Sequence, residues 1–572
     1  MSYKKCYSQK IQGNKHLIHL WDDNGYQKLE WNNPAYVKCD ESKATHFGID
    51  GEPLKKTYQW KYGDDNLYFH DMPPYQKFLI EKYGTNDEPS QTHREVFFDI
   101  EIEMGGALTP EYIKSAPKKI TSIAWYYLQK DEWYIVILDD KEKIKHTKSK
   151  NKEIIPVKSE EELIFSFLEK FRQIDPDILI GYNSDFFDVP YLYYRICNVL
   201  GEEVANYLSP INKVREKINY KTGEIYDKDQ PIEIKGVESL DYLRLHKKYS
   251  FSDEPSYKLD FLGQKYVNIS KVEYDGTLDD LFEKDIYKFI QYNFVDVEIL
   301  VKLDEKFDYI AITKNLSHKG KHNYGEVYQN TRTQDGAISA YLLSQNIIPP
   351  AKKYFEKRDY AGGYLFCPKA GVMKYVFDED LISLYPSIIM TLNIGRETMV
   401  GRIINNDRRN NRLALDDLKS MLSDTQLLIE NPQGKQTHIK SSSLIDFIEK
   451  NNLSISANGV FFRNDKKSVL STILEKWFWE RVEYKNLMKK YFKQDDTKNG
   501  AKYHQKQYTQ KILLNSLYGA LALPSFRYGG LLLAEATTLS GQRIIQESGL
   551  CVNRHMNKVI KNQISKTEFL AT

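Results

Sequence analysis

The apolar positions of the chain change period several times, and each change marks an element. Over the first ninety or so residues, short aromatic-rich runs alternate with polar positions and are cut by turn signals such as Asp23-Asn24-Gly25 and Asp50-Gly51. That pattern predicts a small β-rich domain. Near Arg94 the texture shifts: Val96-Phe97-Phe98-Asp99-Ile100-Glu101-Ile102 reads as a buried strand, and strand and helix patterns then alternate to about residue 305, as in an α/β domain. Two polar inserts, Lys141 to Glu153 and Asn219 to Gln230 (with Thr222-Gly223), read as solvated loops or hairpins. Pro349-Pro350 ends the next helical region, and a strand-rich section is expected to about residue 400, then a polar stretch from Asn405 to Asn411. Helical stretches follow at Val469 to Phe492 and Tyr503 to Leu517, joined by a polar turn around Asp495 to Gly500, and a last one runs from Ala534 to about Val559.

Composition narrows the class. With 572 residues, 41% of them hydrophobic, the chain is long enough for roughly three to five domains and rich enough in apolar residues to exclude wholesale disorder. A net charge of +2, from 81 basic and 79 acidic residues, excludes a histone-like chain but leaves room for a basic groove beside acidic clusters. Five scattered cysteines without a Cys-x-x-Cys pair argue against a structural zinc site and for a reducing compartment. There is no apolar run of the roughly 18 residues a membrane span needs, and Met1-Ser2-Tyr3-Lys4-Lys5 does not open a signal peptide. A cytoplasmic protein without a membrane partner is expected. No solenoid-length repeat is present.

The candidate chemistry is acidic. In a strand, Asp99 and Glu101 lie on one face and Phe98, Ile100 and Ile102 on the other. Two such carboxylates repel unless a cation sits between them, and a hard divalent ion such as Mg²⁺ is the natural counter-charge. A solvent-facing polar stripe has the same alternation. Two later segments change the balance: Ile178 to Asn183 reads as a strand entering a loop, followed by Ser184-Asp185-Phe186-Phe187-Asp188-Val189-Pro190-Tyr191, and Tyr292 and Asp296 stand four apart on one helix face. Acids from one strand and two helix-associated segments, converging at a sheet end, supply ligands for two metals roughly 4 Å apart, as in phosphodiester hydrolysis.

Phe-Asp-Ile-Glu, Asn-(x)4-Asp-x-Pro-Tyr and Tyr-(x)3-Asp resemble, in order, the three exonuclease motifs of family B DNA polymerases. The resemblance implies an RNase H-like 3′-5′ proofreading domain in which Asp99, Glu101, Asp188 and Asp296 bind metal, Tyr292 orients the attacking water and Asn183 contacts DNA. Asp378-Glu379-Asp380-Leu381-Ile382-Ser383-Leu384-Tyr385-Pro386-Ser387, read as a strand turning sharply at Pro386, resembles polymerase motif A. That implies metal at Asp380 and the Leu381 carbonyl, with Asp378 as the rival on the same strand face, and nucleotide contacts from Ser383, Leu384 and Tyr385, the last lying under the incoming sugar. Tyr360-Ala361-Gly362-Gly363 resembles the Y-x-G-G element, whose Tyr360, Gly362 and Gly363 would approach DNA. Lys511-Ile-Leu-Leu-Asn515-Ser-Leu-Tyr518-Gly519 matches motif B. Arg481 and Lys485 share a helix face, and folding that helix antiparallel to the motif B helix aims them with Lys511 and Asn515 at a triphosphate, while Tyr518 and Gly519 face the template. Phe526-Arg527-Tyr528 fits either duplex contact or core packing.

The fold class implied is mixed α/β and multidomain: a β-rich N-terminal domain (1–93, completed by about 305–350), the exonuclease domain (94–304), a partial α+β palm (351–458 and 523–572) and helical fingers (459–522). One element of the family is missing. No Asp-Thr-Asp, the motif C that brings the second carboxylate segment, occurs anywhere in the sequence, nor does a thumb. The resemblance, nearest to the T4-like bacteriophage replicative type, therefore implies the N-terminal subunit of a split polymerase, with a truncated gene or partial sequence as the alternative. A second polypeptide would supply motif C and the thumb by strand addition, and any sliding-clamp contact. Expected ligands are primer–template and single-stranded DNA, deoxynucleoside triphosphates, and two Mg²⁺ per site with Mn²⁺ as the alternative. The rival readings are a stand-alone 3′-5′ exonuclease with a remnant polymerase half and a non-catalytic primer–template binding subunit.

Overall fold

The computed structural model describes residues 2–560 apart from positions 62, 220, 221, 223, 251, 357, 366–370, 373–379 and 405–414. The chain forms two compact units, one from 1–33 with 73–329 and the other from 34–72 with 330–572. The first ninety residues thus contribute to both.

In the first unit, Tyr3–Gln12, Lys15–Asp22 and Gly25–Asn32 form an antiparallel meander. Asp22 pairs with Gly25, so the Asp23-Asn24 signal is a two-residue hairpin loop. The unit is built around a seven-stranded mixed sheet ordered Thr147–Lys148, Lys152–Val157, Glu132–Leu138, Ile120–Tyr127, Glu95–Ile102, Ile178–Gly181, Glu238–Asp241. The central Glu95–Ile102 strand is antiparallel to Ile120–Tyr127 and parallel to Ile178–Gly181. Helix Glu160–Ile174 leads into Ile178–Gly181, and helix Asp188–Leu200 lies on the crossover from there to the parallel strand Glu238–Asp241.

Period-two geometry sorts the central strand as its sequence dictates. Val96, Phe98 and Ile100 enter a core with Trp125, Phe167 and Leu168, while Phe97, Asp99 and Glu101 face the other way. The 22-residue helix Ile286–Phe307 packs over that second face. Of the two inserts, Lys141 to Glu153 contains the edge hairpin of Thr147–Lys148 on Lys152–Val157.

The second unit holds a four-stranded sheet (Ile347–Ile348, His46–Gly48, Pro53–Thr57, Ala35–Lys38) and a five-stranded antiparallel one (Gln436–Lys440, Gln426–Glu430, Met399–Ile404, Val460–Arg463, Leu453–Ile455). The second sheet packs on helix Ser441–Lys450 through Ile403, Phe461, Leu444 and Ile448. Helices Val469–Lys493 and Thr497–Leu521 then run antiparallel, with Tyr491 stacked on Tyr503 at 5.4 Å and Gln510 bonded to Glu480. Leu531–Ile560 is the last helix.

Among the described residues, which leave out 366–370 and 373–379, no strand lies between 349 and 398, and the next begins at Met399. One expectation is corrected. Pro386 does not break the chain but sits in the first turn of helix Leu384–Leu392, where the missing N–H costs nothing. The sharp turn falls instead at Ser383, in the left-handed region with φ 56°. Phe526, Arg527 and Tyr528 are buried, which favours core packing of the two readings left open for this triplet. The Val376–Glu379 strand with Asp378, Gly223 and the 405–411 stretch lie outside the described residues.

Candidate metal centre and phosphate-facing cluster

Each acid of the first unit is placed by an element the sequence encodes. Asp99 and Glu101 project from the central strand, and Tyr292 and Asp296 stand one turn apart on the helix covering it. The carboxylates of Asp99, Glu101 and Asp296 lie within 4.8 Å of one another. Asp188 opens its own helix beside them: its Oδ1 accepts from the Ile100 N–H at 3.2 Å, just past the point where the parallel pairing with Ile178–Gly181 ends at Phe97.

Burial drives the electrostatics. Desolvation, then Glu101, Asp188 and Asp296, holds Asp99 well above the usual carboxylate range. Desolvation and then Asp296 push Glu101 up to about 8, and burial lifts Asp188 to about 7. Asp296 is raised by burial despite Lys271. Clustered carboxylates of this kind favour either protons or a cation. The donor set fits a hard divalent ion: all oxygen, with Asp296 Oδ1 buried and lacking a hydrogen-bond partner.

Sequence reasoning missed the groups that surround the acids. Lys271, on the segment before the helix, is paired with Asp296 and lies 3.2 Å from the Tyr292 hydroxyl. Burial alone would lower its pKa, but Asp296, Tyr292 and Asp99 raise it above the ordinary lysine value. Asn293 donates to Asp99. Behind Asp188, buried Asp185 accepts from Arg244 at 2.9 Å, from Ser239 at 2.6 Å and from Gln230 at 3.1 Å. Asp241 caps its helix and takes the N–H of Asn183, whose φ is 59°. The insert ending at Gln230 is thereby tied to the segment carrying Asn183 and Asp188.

In the second unit the structure gathers most of the remaining candidates. Tyr385 stacks on Tyr518 with centroids 4.2 Å apart, and Tyr518 bonds Thr538 at 2.7 Å and also Tyr360. The Gly362 carbonyl accepts from Gln542 at 2.7 Å, and a Cβ on Gly363 would stand 3.5 Å from the Tyr385 hydroxyl. Gly541 permits the last helix to approach: a Cβ there would lie 3.1 Å from the Tyr385 ring. Arg481, Lys485 and Lys511 share one field. Arg481 is the first cause that lowers Lys485, and it lowers Lys511 after desolvation. Arg481 Nε is buried without a hydrogen-bond partner. Asn515 and Gly519 continue the Lys511 helix. Asp380 stands exposed at the start of the Ser383 turn. Next to it, Leu381 (45% exposed) and Ile382 (78% exposed) line an apolar groove of about 430 Å³ with Leu384, Ile388, Ile455 and Ile544.

Residues 77–262 match the family model "DNA polymerase family B, exonuclease domain", and residues 328–570 match "DNA polymerase family B". A DNA-directed DNA polymerase of Escherichia phage RB69 is 27% identical over 627 residues, covering 94% of this chain and 65% of the relative. That of Enterobacteria phage T4 is 27% identical over 456 residues, 71% of this chain and 47% of the relative. A DNA polymerase of Pyrococcus glycovorans is 28% identical over 257 residues, 42% and 31% respectively. The chain spans about two thirds of the RB69 relative's length and about half of the T4 one.

Proposed function

The chain belongs to DNA polymerase family B, and from that membership we propose that it removes nucleotides from the 3′ end of single-stranded DNA and forms part of a template-directed polymerase. The observation that carries the first half is the approach of Asp99, Glu101 and Asp296 to within 4.8 Å, with Asp188 alongside. In this reading these four acids hold Mg²⁺, or Mn²⁺ in its place. Two bound ions would stabilise the attacking and leaving oxygens of phosphodiester hydrolysis. Tyr292 orients the attacking water, and Asn183 contacts the frayed strand.

The second unit, in the same reading, carries palm and finger segments. Arg481, Lys485 and Lys511 take the triphosphate of a deoxynucleotide through charge-assisted hydrogen bonds, with Asn515 beside them. Tyr385, stacked on Tyr518, forms the floor under the sugar, and Asp380 with the Leu381 carbonyl serves the metal. Ser383 and Leu384 approach the nucleotide. Tyr360, Gly362, Gly363 and Gly519 approach primer and template. Asp380 needs a second carboxylate segment. No Asp-Thr-Asp exists in these residues, so in this reading that segment and the duplex-gripping thumb lie outside the 572 residues.

Purified chain with Mg²⁺ is expected to shorten a single-stranded oligonucleotide from its 3′ end and to leave a primed template unextended. Extension should appear on adding a fragment that carries Asp-Thr-Asp and a thumb. Inert, folded chain overturns the exonuclease assignment; primer extension by these residues alone overturns the need for a further carboxylate segment. Digestion that persists while no such fragment ever restores extension supports a stand-alone exonuclease instead.

A further inference from the structure

Asp99 is gripped from behind by a buried amide. Asn293 Nδ2 donates to Asp99 Oδ2 at 2.7 Å, and Asn293 Oδ1 accepts from Ser122 Oγ at 2.8 Å. Asn293 and Ser122 are both fully buried. The amide has one sense only: reversed, its oxygen would face a carboxylate oxygen, two acceptors with no proton between them.

The local sequence explains why this arrangement forms. Across the antiparallel pair, Glu101 is opposite Ser122 and Asp99 is opposite Ala124. Cross-strand partners share a face, so the Ser122 hydroxyl rises beside the acids, while the small Ala124 leaves space above it for the amide. Asn293 follows Tyr292 and precedes Asp296 by three residues, so a single helical turn delivers phenol, amide and carboxylate to one spot.

A carboxylate on a strand can rotate about its own bond, and Asp99 has reason to, since Glu101 and Asp296 repel it. Holding Oδ2 removes that freedom and fixes where Oδ1 stands as well. We propose that Asn293, anchored by Ser122, is a positioning residue that fixes the rotation of Asp99 and presents one defined oxygen to a divalent cation shared with Glu101 and Asp296. The inference rests on the exonuclease reading above and goes beyond it, because it assigns a role to two residues that touch neither substrate nor metal. Hydrogen bonds of this outer shell typically govern metal affinity or activity by about 10–100-fold.

The test compares wild-type chain with Asn293→Ala and Ser122→Ala. Mn²⁺ binding is measured by calorimetry without DNA, and oligonucleotide degradation is followed across a Mg²⁺ titration. Asn293→Ala is expected to weaken Mn²⁺ binding about 10-fold or more and to raise the half-saturating Mg²⁺ by a similar factor, with the rate at saturating metal largely recovered. Ser122→Ala should show a smaller shift in the same direction, and it carries the test if the alanine at 293 does not fold. Unshifted metal dependence in a folded variant overturns the inference, as does a rate loss that excess metal does not repair. Wild-type chain that neither binds Mn²⁺ nor degrades DNA overturns the exonuclease reading and this inference with it. Active wild type with unshifted variants overturns the inference alone.

Discussion

The Lys271 ammonium is paired with the Asp296 carboxylate at the edge of the acidic cluster. It touches the Tyr292 hydroxyl as well, so one cation steadies both the acid and the phenol contributed by the covering helix. Replacing it with methionine keeps much of the aliphatic stem and removes the charge. Lys271→Met is expected to lower 3′-end digestion by about 10²-fold, the usual scale for losing one preorganised electrostatic contact. Steady-state rates on a single-stranded oligonucleotide, with circular dichroism to confirm folding, check this.

The crowded carboxylates make a second prediction about stability rather than rate. Without a cation, Asp99, Glu101, Asp188 and Asp296 oppose one another in a buried setting. Asp99→Asn should therefore melt about 2–4 °C higher than wild type in chelator, equivalent to roughly 1 kcal/mol, while losing digestion. Adding Mg²⁺ should raise the melting temperature of wild type and leave the variant nearly unchanged. Thermal melts with and without chelator decide it.

Acid sensitivity should come from a site remote from the metal centre. His93 is buried; its Nδ1–H donates to the Ser90 carbonyl at 3.0 Å, so its Nε2 accepts the Tyr324 hydroxyl proton at 2.7 Å. The Tyr324 oxygen then accepts from His318 Nε2–H at 2.9 Å. Both rings are thus held neutral. Burial, then Lys314, pushes His93 down to about 3, and burial, then Lys321, holds His318 well below the ordinary histidine value. A lowered folded-state pKa contributes stability that is complete above the unfolded value near 6.5 and is lost as pH falls from there toward the folded one. Between pH 6.5 and 5 this costs the fold about 2 kcal/mol through His93 alone. Wild type should lose stability faster than His93→Gln over that interval, measured as the pH dependence of urea midpoints.

The second unit offers a test of its own packing. Arg527 is fully buried, with Nη1 2.6 Å from Asp71 Oδ1 and Nε 3.7 Å from Asp335 Oδ1. It joins the 34–72 segment to helix Asn330–Ser344. Arg527→Met removes this buried charge and leaves Asp71 and Asp335 with Lys352 as a remaining partner, and should destabilise the unit by about 3 kcal/mol. Urea unfolding followed through tryptophan fluorescence checks the loss.

What could be read from the sequence follows from periodicity. Alternation alone puts Asp99 and Glu101 on one strand face, and the spacing of four puts Tyr292 and Asp296 on one helix face, because both periods are local backbone properties. The antiparallel pairing of the Arg481 and Lys511 helices follows from their short polar turn. What was hidden has no period. Lys271 lies between motifs on a segment with no pattern of its own, and only tertiary packing brings it to Asp296. Asn293 sits inside a motif at a position that any residue may fill, so its role emerges only when Ser122 is seen on the neighbouring strand. The Ser383 turn was misplaced at Pro386 because proline is read as a breaker, although a helix's first turn tolerates it.

The strand bearing Asp99 and Glu101 is paired with Ile120–Tyr127 on one edge through both acids, while on the other edge its pairing with Ile178–Gly181 stops at Phe97. One continuous ladder therefore holds the spacing of the two acids, while past Phe97 the other edge leaves room for Asp188, whose carboxylate takes the Ile100 N–H. A divalent cation among these acids would offset their repulsion, and weakening the Ile120–Tyr127 ladder would disturb their spacing without altering a single acid.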